Sequence, residues 1–230
     1  MPTISVENYL KAIYHLQQHS EDGLVKNKSI AQRLEISLPS VTAMLKSLAE
    51  DDLVAYERYK GVSLTQKGRG QALNVIRKHR LIELFLVQTL QYSWDEVHAE
   101  AERLEHAISD ELATRIETFL DFPSVDPHGD PIPTASGEIR TSTATPLTQC
   151  EPPCKVQIER VLDQGVELLR YLESHHIMPG RRAHVVSIQP FDGQVTLQVE
   201  QSDTILLDPV MLTPQTASRI LVRPCAQATL

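Results

Sequence analysis

The chain has 230 residues, of which 41% are hydrophobic and 23% charged, the composition of a folded globular protein with room for two or three small domains rather than a disordered one. No run approaches the roughly 20 apolar residues of a membrane span, the opening MPTISVENYLKAIYHL lacks the basic start and apolar core of a secretion signal, and three cysteines make no disulfide framework, so a cytoplasmic location is expected. The net charge of −8 disfavours a polyanionic partner unless the acidic groups lie off the contact face or hold cations.

Residues 5–18 place Val6, Leu10, Ile13, Tyr14 and Leu16 near helical spacing, with Ser5 available as N-cap. A short amphipathic helix is predicted over 28–35, then a turn at ISLP, with Ser37 as cap and Pro39 in the first turn of a third helix over about 38–51. Val41, Leu45 and Leu48 form its apolar side, leaving Ser40, Thr42, Ala43 and Lys46 outward. Two short helices and a tight turn make a helix-turn-helix. Strands at 53–58 and 62–65 around Tyr59, Lys60 and Gly61 add the hairpin of a winged helix.

Residues 66–90 read as a long helix too apolar to stand alone, suited to burying one side against a partner subunit. A capping-box-like opening at Ser93 begins another helix running to about Ile108, and residues 109–121 continue as a third. Seven prolines between 123 and 153 end the helices and mark a linker, in which Cys150 and Cys154 read as ordinary thiols rather than a zinc site. From Lys155 short β-rich runs with one intervening helix predict a small barrel-like β domain.

The chemistry concentrates on His98, Glu102, Glu105 and His106, a single helical stripe by spacing, with His79 and Glu83 as an i, i+4 pair on the preceding helix. Imidazoles and carboxylates without a thiolate suit Mn²⁺, Fe²⁺, Co²⁺ or Zn²⁺, the carboxylates favouring the harder ions. A solvated helix face is the plain alternative. Two other functions compete: a constitutive winged-helix DNA-binding protein in which the cluster is structural, and a metal-dependent hydrolase. The chain has no HExxH pair, nucleophile motif or Gly-rich phosphate loop, so no enzyme is expected.

The segments ENYLKAIYHL, AQRLEISLPSVTAMLKSLAEDDLV, GVSLTQKG, RKHRLIELFL, EVHAEAERLEHAISDEL and DPHGDPIP together resemble the diphtheria toxin repressor and manganese transport regulator family over nearly the whole chain. The resemblance implies a mainly α protein with a small β domain: a winged helix at 1–65, a helical dimerisation and metal-binding domain at 66–140, a Pro-rich linker at 141–153 and an SH3-like, FeoA-like domain at 154–230. It further implies a homodimer that binds divalent metal, then palindromic DNA operators, and represses metal-uptake genes. The C-terminal domain is expected to dock on its own chain.

Carried over by position, one metal site would comprise Glu102, Glu105, His106 and Asn8, and a second His79, Glu83 and His98, with Asp163 and Glu167 as further candidates from the C-terminal domain. Glu at 102, where iron-responsive relatives carry a sulfur ligand, makes Mn²⁺ the first expectation, Fe²⁺ the alternative and Zn²⁺ or Co²⁺ ions that bind in vitro. Asn8 and Lys11 depart from the acidic residues of manganese regulators, which argues against a closely spaced two-metal centre using position 11. For DNA the candidates are Ser37, Pro39, Ser40, Thr42, Ala43 and Lys46 at the third helix, with Arg58 and Lys60 on the wing.

Overall fold

A computed structural model describes residues 3–57, 60–202 and 205–225. The first helix, α1 (Ile4–Gln17), is capped by Thr3 rather than the expected Ser5: Thr3 is extended and its hydroxyl accepts from the Val6 amide at 3.4 Å. Helix α2 (Asn27–Leu34) stops at Glu35, whose φ of 56° is left-handed and turns the chain sharply. Ser37 then caps α3 (Leu38–Glu50), accepting from the Ser40 amide at 3.3 Å, with Pro39 in the first turn as expected.

Strands β1 (Val54–Glu57) and β2 (Gly61–Leu64) pair antiparallel to form the wing. Val62 also exchanges backbone bonds with Val25 at 2.8 and 2.9 Å. Gly61 has φ 146°, and a Cβ there would lie 2.7 Å from the Val25 carbonyl oxygen, so close passage of the wing requires glycine. Leu10, Ile13, Ile30, Val41, Leu45, Leu48 and Val62 are fully buried in one core with Leu73 and Ile76 of the next helix. Each such side chain contributes roughly 1.5–3 kcal/mol by leaving water.

Three helices follow: α4 (Gln66–Leu90), α5 (Val97–Leu104) and α6 (Asp110–Phe119). Helix α5 is shorter at both ends than the periodicity predicts. Residues before Val97 form a turn closed by Glu96 and Val97 amides on the Ser93 carbonyl, and Ala107 and Ile108 amides close another on Leu104. Glu105 and His106 therefore lie in a turn, off the α5 stripe.

The C-terminal part is an antiparallel sheet of β3 (Thr145–Pro146), β4 (Cys154–Val161), β5 (Arg182–Ile188), β6 (Val195–Ser202), β7 (Ile205–Leu206), β8 (Val210–Leu212) and β9 (Ile220–Pro224), ordered β3-β9-β4-β5-β6-β7 with β8 also on β6. Every pairing is antiparallel. Alternating Val156 and Ile158, Ala183 and Val185, and Val195, Leu197 and Val199 fill its interior with Leu169 and Leu172 of α7 (Val166–Ser174). A register shift between Ile158 and Arg160 restores Val161 to the core.

Two compact units result. The first holds the chain through Ile82 with Glu102–Ile116 and Ile132–Ile139; the second holds Glu83–Ala101, Glu117–Pro131 and the chain from Arg140 onward. The prolines after Phe122 do not make a passive linker, because Asp126, His128, Asp130 and Ile132 are buried. Among the described residues no helix is long and apolar enough to cross a membrane.

Candidate metal centres and DNA-reading helix

The expected stripe divides between the units. In the first, α1 brings Glu7 and Lys11, α4 brings His79, and the end of α5 with its following turn brings Glu102, Glu105 and His106. Glu105 is fully buried and His79 nearly so. His79 Nδ1 lies 2.5 Å from Glu105 Oε2, while His106 Nδ1 lies 2.5 Å from Glu7 Oε2 and its Nε2 3.2 Å from Glu105 Oε1. Lys11 Nζ donates to Glu102 Oε1 at 2.8 Å and to the two Glu105 oxygens at 2.9 and 2.7 Å, and stands 3.3 Å from His79 Nδ1. Ligand atoms of His79, Glu102 and Glu105 converge within 4.8 Å, with the Lys11 ammonium bonded among them.

The α1 carboxylate at this cluster is Glu7, one residue before Asn8, which is half-buried on the same helix. Glu7 was not among the candidates from sequence, although an acid four residues before Lys11 on one amphipathic helix was a visible signal.

The second unit holds a different arrangement. Glu83, fully buried, directs Oε1 to His98 Nδ1 at 3.1 Å and Oε2 to His128 Nδ1 at 3.8 Å. Ligand atoms of Glu83, Asp126 and His128 lie within 4.8 Å of one another, all three residues buried, while the His98 side chain is 40% exposed and opens the group to solvent.

The loop DPHGD fixes this geometry. Asp126 Oδ1 accepts from the amides of His128 and Asp130 at 2.8 and 2.9 Å, and the Asp126 amide donates to the Asp130 carbonyl at 3.0 Å. Gly129 has φ +86°, and a Cβ would lie 2.0 Å from the Glu159 carbonyl oxygen, so the loop packs on β4 only with glycine there. The Val161 amide donates to the His128 carbonyl at 2.9 Å. Asp130 pairs with Arg160 and accepts from Gln164 at 3.1 Å.

Whether these residues suit a cation is decided at His128. Its Nε2 is 2.8 Å from the Trp94 carbonyl oxygen, which only accepts, so Nε2 carries a proton and Nδ1 faces the carboxylates. Nδ1 is buried and has no hydrogen-bond partner among the described residues. Burial opposes charge on this imidazole, but Glu83 and Asp126 outweigh it and the pKa is raised. The field favours positive charge at Nδ1, and a hard divalent ion with carboxylate oxygens and one imidazole nitrogen fits the donor set. The stacked Trp94 ring, 5.7 Å away at 18°, fixes the ring plane.

Asp126 and His128 were not among the candidates from sequence, which placed His79, Glu83 and His98 together; ligand atoms of those three also lie within 4.8 Å of one another. The signal for Asp126 and His128 was available: three ligand-type side chains at alternate positions in DPHGD, hidden by reading its prolines as linker. Of the C-terminal candidates, Asp163 is half-buried, pairs with Arg219 and accepts from the Gly165 amide at 2.9 Å, while Glu167 is exposed on α7.

On α3, Ser37, Pro39, Ser40, Ala43 and Lys46 are exposed on one end and side. Ser37 and Ser40 hydroxyls lie 2.8 Å apart. Thr42 is half-buried, donating to the Leu38 carbonyl at 3.0 Å and accepting from Asn27 at 3.3 Å, so its hydroxyl serves the domain's own packing. Lys60 is exposed and paired with Glu57 at 2.8 Å; Arg58 lies outside the described residues.

Comparison with known proteins agrees with this layout. Residues 1–62 match the iron dependent repressor N-terminal DNA binding domain, residues 65–134 the iron dependent repressor metal binding and dimerisation domain, and residues 145–224 the FeoA domain. The chain is 30% identical over 227 residues to the iron-dependent repressor IdeR of Mycobacterium leprae, covering 90% of this chain and 97% of that one. It is 32% identical over 216 residues to the diphtheria toxin repressor of Corynebacterium glutamicum, covering 89% and 92%. A solved manganese-dependent transcriptional repressor in complex with manganese superposes with TM-score 0.83 at 39% identity, over 96% of this chain and all of that one. A helical DNA-binding domain with a small wing, a helical dimerisation domain and a β-rich FeoA-like domain in this order make the chain a member of the diphtheria toxin repressor/IdeR family of metal-dependent transcriptional repressors, not an enzyme.

Proposed function

We propose that the protein is a manganese-responsive repressor that, as a homodimer charged with Mn²⁺, binds palindromic operators and represses metal-uptake genes, with Fe²⁺ as the alternative ion. The observation that carries this is the buried Glu83, Asp126 and His128 set, oxygen-rich and without a thiolate. Similarity to the manganese-dependent repressor solved with manganese supports the same choice. Zn²⁺ and Co²⁺ suit the same donors and are expected to bind in vitro.

Glu83 and Asp126 supply negative charge, His128 supplies Nδ1 once its proton leaves, and exposed His98 completes the set from α5. A bound divalent ion supplies the positive charge that lets these acceptors share one small volume. Glu83 thereby holds α4 to the 126–130 loop, and His98 holds α5 to α4. Metal can favour the DNA-binding form only by binding it more tightly than the relaxed form. Exposed Leu90, Phe119 and Phe122 offer apolar surface to a partner subunit, and exposed Ser37, Pro39, Ser40, Ala43 and Lys46 would face the major groove.

The test is DNA binding by metal-stripped protein to the region upstream of its own gene, titrated separately with Mn²⁺, anoxic Fe²⁺ and Zn²⁺. Affinity should rise with Mn²⁺ and return to baseline with chelator. His128→Ala should remove that response with unchanged circular dichroism, weakening metal binding by more than the roughly 10–100-fold typical of losing an outer-shell partner. Equal operator affinity with and without metal would overturn the reading.

A further inference from the structure

The cluster formed by α1, α4 and the α5 end contains the ligand types of a metal site, yet its centre is taken. Lys11 Nζ lies 2.7 to 2.9 Å from three carboxylate oxygens of Glu102 and Glu105, and 3.3 Å from His79 Nδ1. An ammonium has three donors and no acceptor, so it ligates no cation, and its donors are used here. Carboxylates hold small divalent ions at about 2.0–2.6 Å. An ion that close to the same oxygens would stand against the ammonium, with like charges in contact. The Lys11 side chain is 12% exposed and that of Glu105 0%, so little water is available to screen the repulsion.

We propose that Lys11 is a resident cation of this cluster: it replaces a metal ion at Glu102 and Glu105, ties α1 to the α5 end without metal, and closes the site to divalent ions. The tie is completed by His106, which faces Glu7 of α1 through one nitrogen and Glu105 through the other. A chain built this way holds its DNA-reading unit together through covalently supplied charge. Metal response then belongs to the Glu83, Asp126 and His128 group alone. That last clause rests on the function proposed above; the occupancy of the Lys11 cluster does not.

The experiment is Mn²⁺ stoichiometry on the full chain, by equilibrium dialysis with elemental analysis, for the native protein, Lys11→Met, Lys11→Arg and Glu102→Gln. Lys11→Met should bind about one additional ion per protomer, and a second change, Glu102→Gln, should remove it again. Lys11→Arg, which keeps the charge, should match the native chain. Should Lys11→Met fail to fold even with Mn²⁺, Glu102→Gln alone decides, because Glu102 is partly exposed and the native stoichiometry must then be unchanged. An equal count in native and folded Lys11→Met protein, or loss of an ion in Glu102→Gln alone, overturns the proposal. If the native chain binds no Mn²⁺ while Lys11→Met binds an ion, the resident-cation assignment stands and the sensing function falls.

Discussion

Two histidine–carboxylate clusters among the described residues, one around Glu105 and one around Glu83, differ in what meets their carboxylates. Around Glu105 the positive charge is part of the polypeptide: Lys11 reaches in from α1 and bonds both carboxylates. Around Glu83 the ligand-type neighbours are the imidazoles of His98 and His128 and the carboxylate of Asp126. His128 Nδ1 faces a Glu83 carboxylate oxygen at 3.8 Å, and Glu83 and Asp126 raise the imidazole pKa against the pull of burial. Residue types are nearly the same in the two groups. Lys11 marks the first cluster, and by the proposal above it is what keeps a divalent ion out.

The largest expected effect breaks the self-contained cluster. Lys11→Met leaves the buried Glu105 carboxylate without its ammonium, and removing one partner of a buried pair costs about 3–5 kcal/mol. Urea unfolding of the metal-free variant should show a loss of that order, partly recovered by Mn²⁺. An unchanged midpoint would mean that the ammonium contributes nothing to holding α1.

The next prediction concerns the cluster around Glu83. Gly129→Ala places a Cβ against the Glu159 carbonyl and strains a left-handed residue, for which a loss of about 1 kcal/mol or more is expected. The 126–130 loop must shift, so Mn²⁺ affinity should fall together with stability, while the Lys11 cluster in the other unit is untouched. Calorimetry of Mn²⁺ binding beside urea unfolding separates the two losses.

The smallest effect sharpens the comparison from within the first unit. His15 has its pKa lowered to about 3 by burial first, then by the positive charges of Arg33, Arg80, Lys11 and His79. The folded state therefore binds this proton less readily than the unfolded chain, whose value is near 6.5. The stability this contributes is complete above about pH 6.5 and is lost progressively as pH falls toward about 3. In an NMR titration the His15 ring should stay neutral between about pH 8 and pH 5, and Lys11→Met should raise its pKa. A native His15 titrating near its ordinary value would show that positive charge is not concentrated on this side of the cluster.

Much of this was legible in the chain itself. Ser37 with Pro39, the spacing of Val41, Leu45 and Leu48, and Gly61 in a short connection are local signals, each acting within a few residues, and together they specify a helix-turn-helix with a wing. The alternating strands from Val156 onward likewise carry their own period. The residue types for metal chemistry were also visible in His79, Glu83, His98, Glu102, Glu105 and His106.

Spacing along the chain did not show their grouping, although the family resemblance already set Glu83 with His98 apart from Glu102, Glu105 and His106. Helical spacing treats His98 through His106 as one stripe, but α5 ends at Leu104, and the following turn sends Glu105 and His106 toward α1 while His98 remains with Glu83. Prolines make residues 126–130 read as linker, although Asp126 uses its side chain to fold that loop over Glu83. The sequence by itself determined the elements, their order and the stock of ligands, because those depend on contacts close along the chain. Tertiary structure alone decided which ligands meet and which charge they meet, because Lys11 and Glu105, like Glu83 and His128, are brought together only when distant helices and loops pack and exclude the water that would otherwise screen them.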